Sequence, residues 1–98
     1  MIQGQFGMAT ESGHGNFELC VATPAGTVQH WWRDNQDPAL PWHLSATFGS
    51  DVAFVLALVE GSFGFNLEVI VERNDNQLQH YYRAGTQWYS GETIGPVG

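Results

Sequence analysis

Two glutamates and two arginines stand in the same relation twice over. Glu18 precedes Arg33 by fifteen residues, and Glu68 precedes Arg83 by fifteen. Each arginine closes the same five-residue block, Gln29-His30-Trp31-Trp32-Arg33 and Gln79-His80-Tyr81-Tyr82-Arg83. A guanidinium fork beside a carboxylate can hold vicinal hydroxyls through charge-assisted hydrogen bonds. An aromatic ring next to them, Trp31 or Tyr81, offers a π-face to an apolar C–H edge. The same two charges can instead form a plain cross-strand ion pair, because opposite charges facing each other stabilise a sheet. Both readings require that Glu and Arg lie opposite one another, which is a question of strand register.

The elements that must set that register are strands. No window carries apolar residues at helical spacing with caps, and twelve glycines interrupt the chain. Short alternating runs bounded by turn residues predict strands at residues 2–6, 17–23, 27–33 and 42–48. A Gly/Ser-rich loop is expected over 8–15, a turn at Pro24-Ala25-Gly26, and a polar loop over 34–41. The second half repeats the order, with strands at 52–59, 67–73, 77–83 and 88–94. Asn74-Asp75-Asn76 reads as a hairpin turn, since Asn and Asp tolerate positive φ. Beyond the five-residue blocks, residues 2–7 match 59–64, 16–21 match 66–71, and 42–49 match 88–95. A repeat of about 40–50 residues with four sequential antiparallel strands is the size of one β-propeller blade. The expected fold is all-β, with a first blade at residues 1–50 and a second at 51–98, together one structural unit.

Reading Ala25-Gly26 as a two-residue turn sets Glu18 opposite Arg33, and Asp75-Asn76 likewise sets Glu68 opposite Arg83. Side chains two apart share a face. One face is then Glu18, Cys20, Gln29, Trp31 and Arg33, matched by Glu68, Ile70, Gln79, Tyr81 and Arg83. The other carries Leu19, Val21, Val28, His30 and Trp32, matched by Val69, Val71, Leu78, His80 and Tyr82. His30 and His80, on the face away from the pair, read as hydrogen-bonded core histidines. Trp42 and Trp88 open the fourth strands, where they can pack in the core or line a groove between blades. The first unit has extra residues between Gly7 and Asn16 and between Arg33 and Trp42, which would build up one rim.

Other chemistry finds no support in the spacing. His14, His30, His43 and His80 lack the convergent spacing of a zinc site, and Asp34, Asp37 and Asp51 are too scattered for a calcium loop. There is no Ser–His–Asp spacing, nucleophile elbow or phosphate loop. Glu18 and Glu68 fall on different blades, and an arginine opposite each would depress the pKa that an acid catalyst needs raised. No enzymatic activity, cofactor or metal is expected.

The formal charge is −7, with Arg33, Arg73 and Arg83 the only Lys or Arg residues, so a phosphate-backbone partner is excluded on composition. Cys20 is the single cysteine and reads as a buried small hydrophobe. The N-terminus shows no signal-peptide pattern, which leaves a cytoplasmic site or a non-classical route of secretion open. The apolar run at 52–59 is far short of a membrane span. At 98 residues and two repeats, the chain sits below the roughly three units that repeat folds need, so association with copies of itself is expected.

The fourth-strand segments each run from Trp42 or Trp88 through five residues to Phe48 or Ile94 followed by glycine. Together with Leu67-Glu68-Val69 and Gln79-His80-Tyr81-Tyr82, this pattern resembles the repeats of bacterial β-propeller lectins of the Photorhabdus type. More loosely it resembles the fucose-binding lectins whose two-blade subunits trimerise. The resemblance covers nearly the whole chain; Gly91 stands where the family's strand often has glycine, and Ser45 fills that place in the first unit. It implies a non-catalytic carbohydrate-binding protein with shallow sites at or between blades, a fucose-like or methylated sugar as ligand, and a trimer of six blades, with a tetramer of eight as the alternative. The candidate ligand-binding residues are Glu18, Arg33, Trp31 and Trp42 in the first unit and Glu68, Arg83, Tyr81 and Trp88 in the second. A reading from another class is a ligand-free scaffold whose rim binds a protein.

Overall fold

The computed structural model describes residues 7–11, 16–61 and 66–96. Eight strands make two four-stranded antiparallel sheets. The first sheet is β1 (Gly7–Glu11), β2 (Phe17–Ala22), β3 (Val28–Arg33) and β4 (Trp42–Phe48). The second is β5 (Val52–Glu60), β6 (Leu67–Arg73), β7 (Gln77–Ala84) and β8 (Gln87–Pro96). Each strand pairs with the next in sequence. No helix occurs among the described residues, and none is long and apolar enough to cross a membrane.

The first strand departs from expectation. The stretch expected as a loop over 8–15 contributes β1, which pairs with β2 from Gly7↔Val21 to Glu11↔Phe17; the strand expected at 2–6 lies outside the described residues. Met8 gives β1 an apolar side chain that packs on the core, and burial there outweighs the surrounding Gly and Ser. The strand pairing also realigns the repeats, because Thr10↔Glu18 corresponds to Val59↔Glu68. β1 therefore answers to the end of β5, and Thr10 and Glu11, not Ile2 and Gln3, are the counterparts of Val59 and Glu60. The β1–β2 connection spans residues 12–16 and its counterpart 61–66, nearly equal lengths, so the extra length at the rim is confined to the β3–β4 connection.

Both central hairpins turn through three residues. In the first, the Thr23 N–H donates to Thr27 O at 2.9 Å, the Gly26 N–H donates to Thr23 O at 3.0 Å, and Gly26 has φ +83°. In the second, the Asn76 N–H donates to Arg73 O at 3.0 Å and Asn76 has φ 65°. A turn of this kind followed by a left-handed residue adds one residue to the loop. The register therefore slips by one from that of a two-residue turn: Glu18 faces Trp32, and Glu68 faces Tyr82. A one-residue slip exchanges the faces of one strand relative to its partner.

The sheets stack with the same end up. Asp51, in the link between them, ties the two turns together: the neighbouring Val52 N–H donates to Gly26 O at 3.0 Å, and the Asn74 N–H donates to Asp51 O at 2.9 Å. The buried face differs between the halves. In β2 it is Glu18, Cys20 and Ala22 that are buried, whereas in β6 it is Leu67, Val69 and Val71, the opposite alternation of the repeat. The core between the sheets joins Met8, Cys20, Ala22, Val28 and Phe48 to Val55, Leu58, Leu67, Val69, Val71, Tyr81 and Trp88. β1 and β2 lie against β5, while the backbones of β4 and β8 stand farther apart and are bridged by the Phe48–Trp88 side-chain stack, so the sheets are closest at their first strands and open toward their fourth.

Gly26 carries the left-handed turn and sits close to the inter-sheet link, where an added Cβ would lie 3.3 Å from the Asp51 nitrogen. Replacing Gly26 with alanine is expected to cost about 1–2 kcal/mol, the penalty of a left-handed L-residue. Asn76→Gly, which writes the first turn's residue into the second, should be neutral or stabilising. Urea unfolding of both variants checks this; equal losses would contradict the turn geometry.

Candidate functional site

The register replaces the expected glutamate–arginine pairs with glutamate–histidine pairs. Glu18 shares a face with Cys20, His30 and Trp32, not with Arg33, because Phe17 takes the place opposite Arg33. Likewise Leu67, not Glu68, lies opposite Arg83. His30 Nε2 and Glu18 Oε1 are 2.7 Å apart, and His80 Nε2 and Glu68 Oε1 are 2.8 Å apart. Each contact runs diagonally across the β2–β3 or β6–β7 ladder, within reach of such side chains. An ionised carboxylate only accepts, so Nε2 is the donor in each pair. His30 and His80 are therefore not on the face away from the glutamates, as expected, but are their partners.

The two pairs sit in different surroundings. The His30 and Glu18 side chains are 0% and 5% exposed, those of His80 and Glu68 26% and 35%. Trp88 from the second sheet meets the His30 ring edge-on at 5.5 Å and stacks on Phe48 at 4.2 Å. Against the His80 ring lies Tyr82, which in turn stacks on Tyr89. Gly91 leaves room for that ring, whose Nδ1 a Cβ there would overlap.

The arginines keep their aromatic neighbours. Arg33 shares a face with Trp31, Phe17 and Trp42, and its guanidinium carbon lies 5.3 Å from the Phe17 ring centre and 5.9 Å from that of Trp42. Such distances are within the range of a cation–π contact. The built-up β3–β4 connection fixes this arrangement. The Gln36 N–H donates to Asp34 Oδ1 and the Ala39 N–H to Asp37 Oδ1, giving two successive side-chain-capped turns. Asn35 then accepts from Arg33 Nε at 2.7 Å, and its own N–H donates to Asn16 Oδ1 at 3.2 Å. Trp42 is 43% exposed, while Trp31 donates from Nε1 to Gln29 Oε1 at 3.1 Å.

In the second sheet the corresponding face is turned inward. Tyr81 is buried and meets Phe48 edge-on at 5.3 Å. Gln79 is buried too, where its Nε2 donates to His80 O, Ser90 Oγ and Gly91 O, and its Oε1 accepts from Thr93. These bonds span the point where the β7–β8 register shifts, a shift repeated between β3 and β4. Arg83 stands on this same face, opposite Leu67 and Trp88. Of the eight candidates, Arg33, Trp31 and Trp42 thus share one face and end of the first sheet, Tyr81 and Trp88 lie in or against the core with Arg83 on the same inward face, and the two glutamates stand with histidines. The glutamate–histidine pairs and Asn35 were missed. The constant twelve-residue separation of Glu18–His30 and Glu68–His80 was the available signal.

Among the described residues no group of three His, Cys, Asp or Glu side chains could hold a metal ion. Comparison with protein-family models, curated proteins and solved structures returns no match to the chain.

Burial, with the Glu18 charge second, pushes the Cys20 thiol up from its ordinary 9.0 to about 12, against a smaller lowering by Arg83. Between those values the unfolded chain binds fewer protons than the folded one, so stability contributed by this thiol is lost as pH rises. Wild-type stability should fall relative to Cys20→Val from pH 9 upward; parallel unfolding curves for the two proteins across that window would contradict the assignment.

Proposed function

We propose that the chain is a non-catalytic carbohydrate-binding protein whose two sheets act as β-propeller blades in a ring completed by further copies. Three copies would close six blades, as the lectin resemblance implies, and four would close eight. Two features of the fold support the blade reading: the sheets stack in the same orientation, and they open from their first strands toward their fourth.

The observation that carries the sugar reading is the rim formed by Arg33, Phe17 and Trp42. A half-exposed indole beside an oriented guanidinium pairs a π-face with fixed hydrogen-bond donors, the two things a sugar's C–H edge and hydroxyls call for. Asn35 holds the fork in place through Nε. Trp32 and His43, whose rings are 4.8 Å apart, extend the aromatic surface onto the other face at the same end of the sheet. The glutamates take no direct part in this site; their role is to fix the histidines between or upon the sheets.

A glycan array on the purified protein identifies the sugar, and calorimetric titration then measures the variants. Arg33→Ala and Trp42→Ala are each expected to weaken binding at least about tenfold, equivalent to about 1.4 kcal/mol. Unchanged affinity in a folded Arg33→Ala/Trp42→Ala double variant, or no glycan bound by the wild type, overturns the reading.

A further inference from the structure

The two halves repeat in sequence but bury opposite faces. The face of the first sheet that carries Glu18, Cys20 and His30 is covered by the face of the second sheet that carries Leu67, Val69 and Tyr81. Each half therefore has one face left over, and the two leftovers are the missing halves of the same contact. The outward face of the second sheet carries Glu68, Ile70 and His80, counterparts of the face buried in the first. The outward face of the first sheet carries Leu19, Trp31 and Trp42, counterparts of the face buried in the second.

We infer that these two outward faces dock on each other between copies of the chain, the first sheet of one copy covering the second sheet of the next. The junction inside the chain is the template. There Trp88 stacks on Phe48 and meets the edge of His30, and Tyr81 meets Phe48. Between copies the corresponding contacts are Trp42 of one chain on Ile94 and His80 of the next, with Trp31 against the same Ile94. Both Trp42 and Ile94 are exposed in the single chain, at 43% and 50%.

Charge and burial agree with this docking. The outward face of the second sheet carries Glu68 and Glu72, and the face meant to cover it carries Arg33, as the inward face that carries Arg83 covers the face that carries Glu18 within the chain. The half-open Glu68–His80 pair duplicates a pair that is closed when covered, so docking would bring it into the state its counterpart already occupies. A contact in which two different faces meet is heterologous, and it closes into a ring where the rotation allows and otherwise runs on as an open chain. The inference deepens the blade reading given above and does not depend on a sugar being bound. Trp88 remains partly exposed at the internal junction, so Trp42 would keep part of its ring open in the cleft between copies, with the neighbour's His80 and Ile94 completing that cleft.

Light scattering after gel filtration, with two variants, tests this. The wild type should run as a multiple of the chain mass. Ile94→Arg blocks the outward face of the second sheet, Leu19→Glu blocks that of the first, and each alone should reduce the assembly to single chains. Mixed in equal amounts they retain one good face each, and should form a dimer containing one of each and nothing larger. Circular dichroism of the mixture gives a second readout: if single variants lose structure when dissociated, mixing should restore it. A wild-type monomer at micromolar concentration overturns the inference, as does a mixture that does not associate. Wild-type assembly with no glycan on the array would leave the docking standing and remove only the sugar reading.

Discussion

The third residue of each central turn decides what everything else faces. Gly26 and Asn76 both take a left-handed backbone, and each adds one position to its hairpin. With a side-chain period of two, one position is enough to move a histidine beside a glutamate and an arginine away from it. The pairs Glu18–His30 and Glu68–His80 follow from that single residue, as does the placing of Phe17 opposite Arg33. The positions are chemically apt: glycine enters the left-handed region freely, and asparagine is among the few other residues that do so at small cost.

Given that register, the molecule has the unusual property that one sequence pattern serves two environments. Cys20 and Ile70 are equivalent, yet the thiol is fully buried and the isoleucine only half so. Val69 is fully buried while its counterpart Leu19 is half-exposed. Both faces keep large apolar side chains beside their charged ones where they are left open: Leu44, Val59, Tyr89 and Ile94 are all exposed. A two-fold sandwich would have buried like faces against like. Stacking unlike faces, with both turns held at one end by the link around Asp51, leaves on the outside the counterparts of the two faces already in contact.

Much of this was legible in the sequence. The eight-strand count, the four-strand repeat and the bounds of the β2–β3 and β6–β7 hairpins follow from alternation and turn residues, because those signals are local. The turn length was not legible in the same way. Pro24-Ala25-Gly26 and Asn74-Asp75-Asn76 are compatible with two- or three-residue loops, and the choice rests on φ at one position. The strand over Gly7–Glu11, in a stretch that reads as loop, escaped for a different reason: its strand character comes from pairing with β2 and from packing Met8 on the core, both tertiary effects that outweigh local composition. The arginine–aromatic rim was foreseen in its residues but not in its support, since the hold of Asn35 on Arg33 depends on the folded path of the β3–β4 connection.

The register is tested most directly by double-mutant cycles on Glu18. One cycle joins Glu18→Ala with His30→Ala, the other Glu18→Ala with Arg33→Ala, with stability read from urea unfolding. The account predicts a coupling on the order of 1–3 kcal/mol for glutamate with histidine, as for residues in direct contact, and near zero for glutamate with arginine. A strong coupling to Arg33 with none to His30 would contradict it.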